Sequence, residues 1–212
     1  MHIGDYKLVR ENTQLGGNSP LSIGMCCWIG QGVIVDSTER STIGNGVGIG
    51  AHSQLWTHLR FGDTLQGCAW DSQTEMWVDD DVWFVGHCLV SPIHAGEKSM
   101  AMLGSVVTRD MKPNHVYAGV PASDITERIG TQYRDVSVHD KFNALTRELA
   151  AFAAKGNDTS RIRIVKEWPT QMDSAVSYFN VSTREYTKRL SDVEIAFMLH
   201  LLVKIKFYPV VR

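Results

Sequence analysis

Apolar residues, several of them followed by glycine, recur every six positions through the first half of the chain. Ile23-Gly24 is followed by Ile29-Gly30, and Ile43-Gly44 is followed by Ile49-Gly50. The same step continues, with a shift of one residue before Ala95, through Leu55, Phe61-Gly62, Val78, Phe84, Val90, Ala95, Ala101 and Val107. A period of six fits neither an α-helix nor a two-residue strand alternation. It is typical of short strands joined by tight turns and wound into a parallel β-helix.

A second set of positions, four residues after many of these, holds small or β-branched side chains. Its members are Cys27, Val33, Val47, Ser53, Val82, Cys88, Ser99 and Ser105. We expect the apolar residue to point into a prism and the small residue to fill a corner, and each coil to be buried only by its neighbours. The pattern is clear over 23–107, and a β-sandwich with coincidental spacing is the alternative. It breaks at the eight-residue step from Val35 to Ile43 and in an excursion over 64–76, a loop of the kind that often carries binding function.

Three segments resemble a known family at the family's own spacing. They are VDDDVWFVG at 78–86, GSVVTRDM at 104–111 and AGVPA at 118–122. They are similar to the hexapeptide-repeat acyltransferases, especially the galactoside and maltose acetyltransferase branch, and the resemblance covers 23–126. It implies a left-handed parallel β-helix, a homotrimer with active sites between neighbouring prisms, and acetyl-CoA as the acyl donor with no metal.

His58, at the end of a regular coil in Leu55-Trp-Thr-His58, matches the family's catalytic histidine. Acyl transfer requires a base that takes a proton from the attacking hydroxyl or amine. An imidazole, with an ordinary pKa near ~6.5, suits that role. We therefore expect His58 to act as general base in direct transfer from acetyl-CoA to a sugar or sugar-containing acceptor, in a ternary complex.

The resemblance also assigns binding residues. Those that match donor-binding positions are Trp83, Gly86, Leu103, Thr108 and Arg109, and Asp36 resembles an acidic position used for acceptor binding. The cationic Arg109 suits the phosphates of the nucleotide end. Asp36, beside Ser37 and Thr38, is equally typical of a turn.

The six-residue step ends near Gly130, so we predict domains at 1–130 and 131–212. The second is expected to be a small α+β region of unknown role. It holds a helix over 140–155, strands over 161–165 and within 176–186, and a helix capped by Ser191.

Composition and charge also bear on nucleic-acid binding, membrane insertion and the cellular compartment. The chain has 212 residues, and its 21 Lys and Arg against 23 Asp and Glu give a net charge of −2, which does not favour nucleic-acid binding. The apolar run over 195–203 is interrupted by His200 and is too short for a membrane span. Four irregularly spaced cysteines and an amino terminus without an apolar core favour a cytoplasmic protein.

Two other functions stay open at this stage. A gamma-carbonic-anhydrase-like zinc protein would use His52 and His87, although Pro92 stands where that family has its third histidine. A non-catalytic trimeric scaffold would bind no coenzyme A.

Overall fold

The chain divides into two compact units, Met1–Arg134 and Asp135–Arg212, and the computed structural model describes residues 1–210. The boundary lies four residues after the predicted one at 130. Positions 211 and 212 of the predicted second domain lie outside the described residues.

The first unit is a prism with three faces, each a parallel sheet. The first face contains His2–Ile3, Leu21–Ile23, Ser41–Ile43, Met76–Val78 and His94–Ala95. The second face contains Leu8–Val9, Trp28–Ile29, Gly48–Ile49, Trp83–Phe84, Met100–Ala101 and Val116–Gly119, with the antiparallel strand Ala122–Asp124 at its end. The third face contains Gln14–Gly16, Ile34–Asp36, Gln54–Leu55, Leu89–Val90 and Val106–Val107. A short helix, α1 (Thr126–Ile129), follows the last strand. The predicted mainly β architecture of parallel sheets is therefore confirmed.

The core of the prism follows the six-residue pattern. The inward apolar residues from Ile23 to Val107 and the small corner residues are buried, with Phe61 as the exception. Phe61 was expected to continue the repeat, but it is fully exposed. The chain leaves the prism at His58–Arg60, which pairs antiparallel with Asp71–Gln73 and encloses a single 3₁₀ turn at Thr64–Gln66.

The prism also begins earlier than the expected start at Ile23. A complete coil precedes it, and Ile3, Val9 and Leu15 of that coil already show the six-residue step. Ile3 and Val9 remain exposed, because a coil at the end of a stack has a neighbour on one side only.

The three corners of the prism differ in length. We call them the first corner (first to second face), the second corner (second to third face) and the third corner (third to first face). Successive inward residues are six apart across the first and second corners, as from Ile43 to Ile49 to Leu55. Across the third corner the steps are eight (35 to 43), twenty-three (55 to 78) and five (90 to 95). All irregularity of the coils over 23–107 is therefore concentrated at the third corner.

Close stacking of the coils requires glycine at particular places. A Cβ on Gly50 would lie 1.9 Å from the carbonyl oxygen of Val85 in the next coil. No side chain fits there, so Gly50 lets the second corner of one coil lie directly on the next.

The second unit combines two helices with one four-stranded sheet. The helices are α2 (Val138–Ala153) and α3 (Asp192–Leu201), and the strands, in sheet order, are Ile162–Val165, Ser177–Asn180, Glu185–Tyr186 and Tyr208–Pro209. α2 begins two residues before its predicted start because Ser137 caps it by accepting from Asp140 N. Ser191 caps α3 as predicted. The core is aromatic, with Phe179 packed against Tyr186, Phe197 and Phe207. Within residues 1–210, no helix has both the length and the apolar character needed to cross a membrane.

Candidate active site

His58 and Asp36 form a hydrogen-bonded pair at the third corner. The Nδ1 atom of His58 lies 3.0 Å from Oδ2 of Asp36. A carboxylate can only accept, so Nδ1 must carry the proton, and Nε2 of the neutral ring keeps its lone pair. The His58 side chain is 30% exposed, whereas that of Asp36 is 11% exposed. The pair therefore consists of an accessible imidazole held from behind by a buried carboxylate.

The Asp36 carboxylate is held ionised by its surroundings. Burial raises its pKa, but hydrogen bonds from the Thr57 hydroxyl, His58, the Thr57 amide and Thr38 outweigh burial and lower the pKa to about 2. Oδ2 accepts from the Thr57 amide at 3.0 Å and from the Thr57 hydroxyl, and Oδ1 accepts from the Thr38 hydroxyl at 2.9 Å. Both oxygens are thus engaged within the protein, and the acceptor-binding role expected for Asp36 stays a prediction.

Thr57 connects this pair to the prism. Its side chain is completely buried and also accepts from the amide of Glu39, at 3.1 Å, in the preceding coil. Its carbonyl accepts from the amide of Thr74, where the excursion returns to the prism. The residue before the histidine therefore fixes both the Asp36 carboxylate and the two ends of the excursion.

Trp56 lies beside the same pair. Its ring makes an edge contact with that of His58, at an interplanar angle of 71° and with 5.9 Å between the centroids. Its Nε1 donates to Oε1 of Gln54 at 3.1 Å. A groove on the third face is lined by Trp56, by Asp36 and by the Gly16-Gly17 backbone, and Gly16 is the register partner of Asp36 in the preceding coil. Two of its lining residues, Trp56 and Asp36, contact the His58 imidazole.

The residues expected to bind the donor are spread over the prism. Trp83 lies on the second face with its side chain outward, 42% exposed. Gly86 and Leu103 meet at the second corner, where a Cβ on Gly86 would lie 3.3 Å from Cδ1 of Leu103. Thr108 and Arg109 are exposed at the third corner, two coils beyond His58, which corresponds to a rise of roughly 10 Å.

The structure therefore brings together only part of the predicted set. His58, Asp36, Thr108 and Arg109 share the third corner. Trp83 lies on the opposite side, because the third corner of a triangular prism faces its second face. Sequence reasoning missed Thr57 and Trp56 as members of the site. Their position immediately before His58, at the start of the excursion, is the sequence feature that could have identified them.

The histidines considered for a zinc site occupy the second corner. The rings of His52 and His87 lie 5.1 Å apart, and the His52 Nε2 is 3.5 Å from the amide nitrogen of Gln31. Among residues 1–210, no group of three or more His, Cys, Asp or Glu side chains is arranged to hold a metal ion.

Comparison with known proteins yields one curated relative of similar sequence. The chain is 39% identical over 51 residues to the galactoside O-acetyltransferase of Escherichia coli (strain K12), which is 24% of this chain and 25% of that protein. The matched region thus spans about a quarter of that relative. No family model matches the chain.

Solved structures extend the likeness over a larger share of the chain. A hexapeptide-repeat containing acetyltransferase from Vibrio cholerae superposes with a TM-score of 0.53 at 24% identity, covering 63% of this chain and 74% of that one. The N-acyltransferase AntD from Bacillus cereus superposes with a TM-score of 0.54 at 14% identity, covering 73% of this chain and 80% of that one. The predicted resemblance to the hexapeptide-repeat acetyltransferases is confirmed, and the fold is the one these proteins share.

Proposed function

We propose that this chain transfers an acetyl group from acetyl-CoA to a hydroxyl or amino group of a sugar or sugar-containing acceptor. The observation that carries the proposal is the His58–Asp36 pair, which leaves Nε2 of a partly exposed imidazole available as a base. The galactoside O-acetyltransferase similarity supports the reaction class. AntD, crystallised with dTDP and 3-hydroxybutyryl-CoA, supports a coenzyme A thioester as the donor on a fold of this kind.

His58 is the general base in this proposal. Its Nε2 takes the proton of the acceptor hydroxyl or amine while the acceptor oxygen or nitrogen forms a bond to the thioester carbonyl carbon. The carbon–sulfur bond then breaks, and the imidazolium returns the proton to the departing coenzyme A thiolate. No acyl-enzyme intermediate is required.

Asp36 is assigned a positioning role in this proposal, and the acceptor contact expected from the sequence stays a prediction. Its carboxylate holds the Nδ1–H tautomer of His58 and stabilises the imidazolium that forms during transfer. The low pKa of Asp36, about 2, keeps the carboxylate charged at neutral pH.

The donor residues lie along two different parts of the prism, and this supports a site shared between copies. His58 and Arg109 are at the third corner, whereas Trp83 is on the opposite face of the same chain. A site that uses all three requires the third corner of one copy to meet the second face of another. A site shared between copies is compatible with the homotrimer of left-handed prisms that the family resemblance implies. We propose that arrangement, with Gly86, Leu103 and Thr108 along the pantetheine arm and Arg109 at the phosphates.

The test combines calorimetric titration with acetyl-CoA and a transfer assay on His58→Ala. We expect acetyl-CoA to bind both proteins, and acetyl transfer by the variant to fall by about 10²–10⁴-fold. The matched control is His115→Ala, because His115 pairs through Nδ1 with Asp124 at 2.7 Å, away from the third corner. Equal activity of the two variants would remove His58 from the mechanism, and failure of the wild type to bind acetyl-CoA would refute the proposed reaction.

A further inference from the structure

We infer that the groove beside His58 is the acceptor subsite and that the Trp56 indole is the platform on which the ring of an uncharged saccharide stacks. This inference rests on the proposed acetyl transfer and adds the residue that selects the acceptor. Three features carry it: the orientation of the indole, the two glycines that line the groove, and the absence of Lys and Arg among the described lining residues.

The indole of Trp56 is held in a fixed orientation. The hydrogen bond from Nε1 to Oε1 of Gln54 satisfies the only polar atom of the ring, and the edge contact with His58 defines its tilt. Trp56 is half-buried at an open corner rather than packed in the prism core. An aromatic face held in this way, next to the base, is suited to the apolar face of a sugar ring, while the ring hydroxyls point toward polar groups.

Two of the residues that line the groove, Gly16 and Gly17, have no side chain. Gly16 has a φ of +139°, which disfavours other residues, and a Cβ on Gly17 would lie 2.4 Å from the backbone of Ser37. Both positions are therefore restricted to glycine by the backbone. No side chain at these two positions therefore occupies the groove.

Charge along the groove favours a neutral ligand. The groove residues that the structure describes include no Lys or Arg, and the one carboxylate, Asp36, is engaged by Thr38, Thr57 and His58. The exposed Gln14 offers an amide that can donate to and accept from hydroxyls. A diphosphate in this groove would meet a carboxylate and no cation, so a nucleotide-linked sugar is disfavoured relative to a simple glycoside.

The experiment compares Trp56→Ala, Trp56→Phe and the control Trp77→Ala. Trp77 is 43% exposed and points outward from the first face. The probes are methyl β-D-galactopyranoside and methyl α-D-glucopyranoside as neutral acceptors and dTDP-glucose as the charged one. The readouts are the KM of each acceptor, the KM of acetyl-CoA, and saturation-transfer NMR of the methyl glycosides with the protein.

We expect Trp56→Ala to raise the KM of a neutral glycoside by about tenfold and to weaken its saturation-transfer signal, with the KM of acetyl-CoA unchanged. Trp56→Phe, which keeps an aromatic face, should change that KM by about threefold or less, and Trp77→Ala should behave as the wild type. If Trp56→Ala and Trp77→Ala have the same KM for the glycosides, Trp56 is not the stacking platform, and the proposed acetyl transfer is unaffected. Acceptance of dTDP-glucose with rejection of both glycosides would also overturn the inference. Absence of acetyl-CoA binding would refute the proposed function and this inference together.

Discussion

The two units of the chain bury their cores in different ways. In the prism, small and medium apolar side chains repeat at fixed positions, and each is covered by the equivalent residue of the next coil. In the second unit, Phe179 and the three aromatic side chains packed against it form a cluster that joins strands and α3. Because the core of the prism repeats, a departure from the six-residue step can be recognised, and the departure at the third corner holds the candidate site. The core of the second unit has no repeat, so no departure from a regular spacing can point to a site there.

The largest expected effect tests this difference directly by removing one central aromatic ring from each unit. Phe84→Ala and Phe197→Ala both empty a fully buried position, and each should lower the stability of its unit by about 3–5 kcal/mol. Hydrogen exchange should show loss of protection mainly in the coils of Ile49 and Ala101 beside Phe84, because each coil contacts only its neighbours. In Phe197→Ala, the loss of protection should extend through the whole second unit. Equal loss of protection in every coil of the prism for Phe84→Ala would contradict the expectation that each coil depends on its neighbours.

A smaller effect is expected at the third corner, where the prism uses a buried charge instead of an apolar residue. Asp36→Asn replaces an oxygen that accepts from Thr57 with a group that donates, so the variant should be less stable by about 2 kcal/mol at pH 7. The folded pKa of Asp36, about 2, is below the ordinary value of 3.8. Its stabilisation is therefore complete above about pH 5 and is lost as the pH falls toward 2.

Urea denaturation of the wild type and Asp36→Asn at pH 7, 4 and 2.5 measures this dependence. The difference between the two proteins should shrink at the lowest pH. A difference that stays constant would show that Asp36 does not act through its charge. In the transfer assay, Asp36→Asn should lose about 10-fold or more of the activity, but less than His58→Ala.

The smallest expected effect concerns the small side chains that fill the corners inside the prism. Ser105 Oγ donates to the carbonyl of Met102 at 2.7 Å, whereas the buried Ser99 Oγ has no hydrogen-bond partner among the described residues. Ser105→Ala should therefore cost about 1 kcal/mol, and Ser99→Ala should be neutral or slightly stabilising. Thermal unfolding of the two variants provides the measurement. A larger loss for Ser99→Ala than for Ser105→Ala would show that the corner hydroxyls are not distinguished by this bond.

The sequence predicted the parts of the fold that depend on local periodicity. The inward residues of the prism other than Phe61, the presence of an excursion and the Ser191 cap of α3 all follow from side-chain type and spacing. The excursion was predicted over 64–76, but it begins earlier, at His58–Arg60. The pairing of His58 with Asp36 could not be predicted in this way. It joins residues 22 apart, and it depends on the eight-residue step that turns the Asp36 side chain toward the next coil.

The second unit was less predictable for the same physical reason. Helix α2 was recognised from its amphipathic spacing, but the order of the four strands was not. The parallel pairing of Ile162–Val165 with Ser177–Asn180 depends on contacts between distant segments, and no repeat reports them.

The unequal corners of the prism have a consequence for how such a chain can change over evolutionary time. Insertions at the first or second corner would shift the hydrogen-bonding register of every later coil or meet close backbone contacts such as that of Gly50 with Val85. The third corner already contains steps of eight, twenty-three and five residues, and the strands on both sides stay in register. New segments can therefore be gained or lost along this single edge without redesigning the scaffold. Because His58 lies on that edge, each change in length there alters the surroundings of the base, and acceptor preference can diversify while the prism is inherited intact.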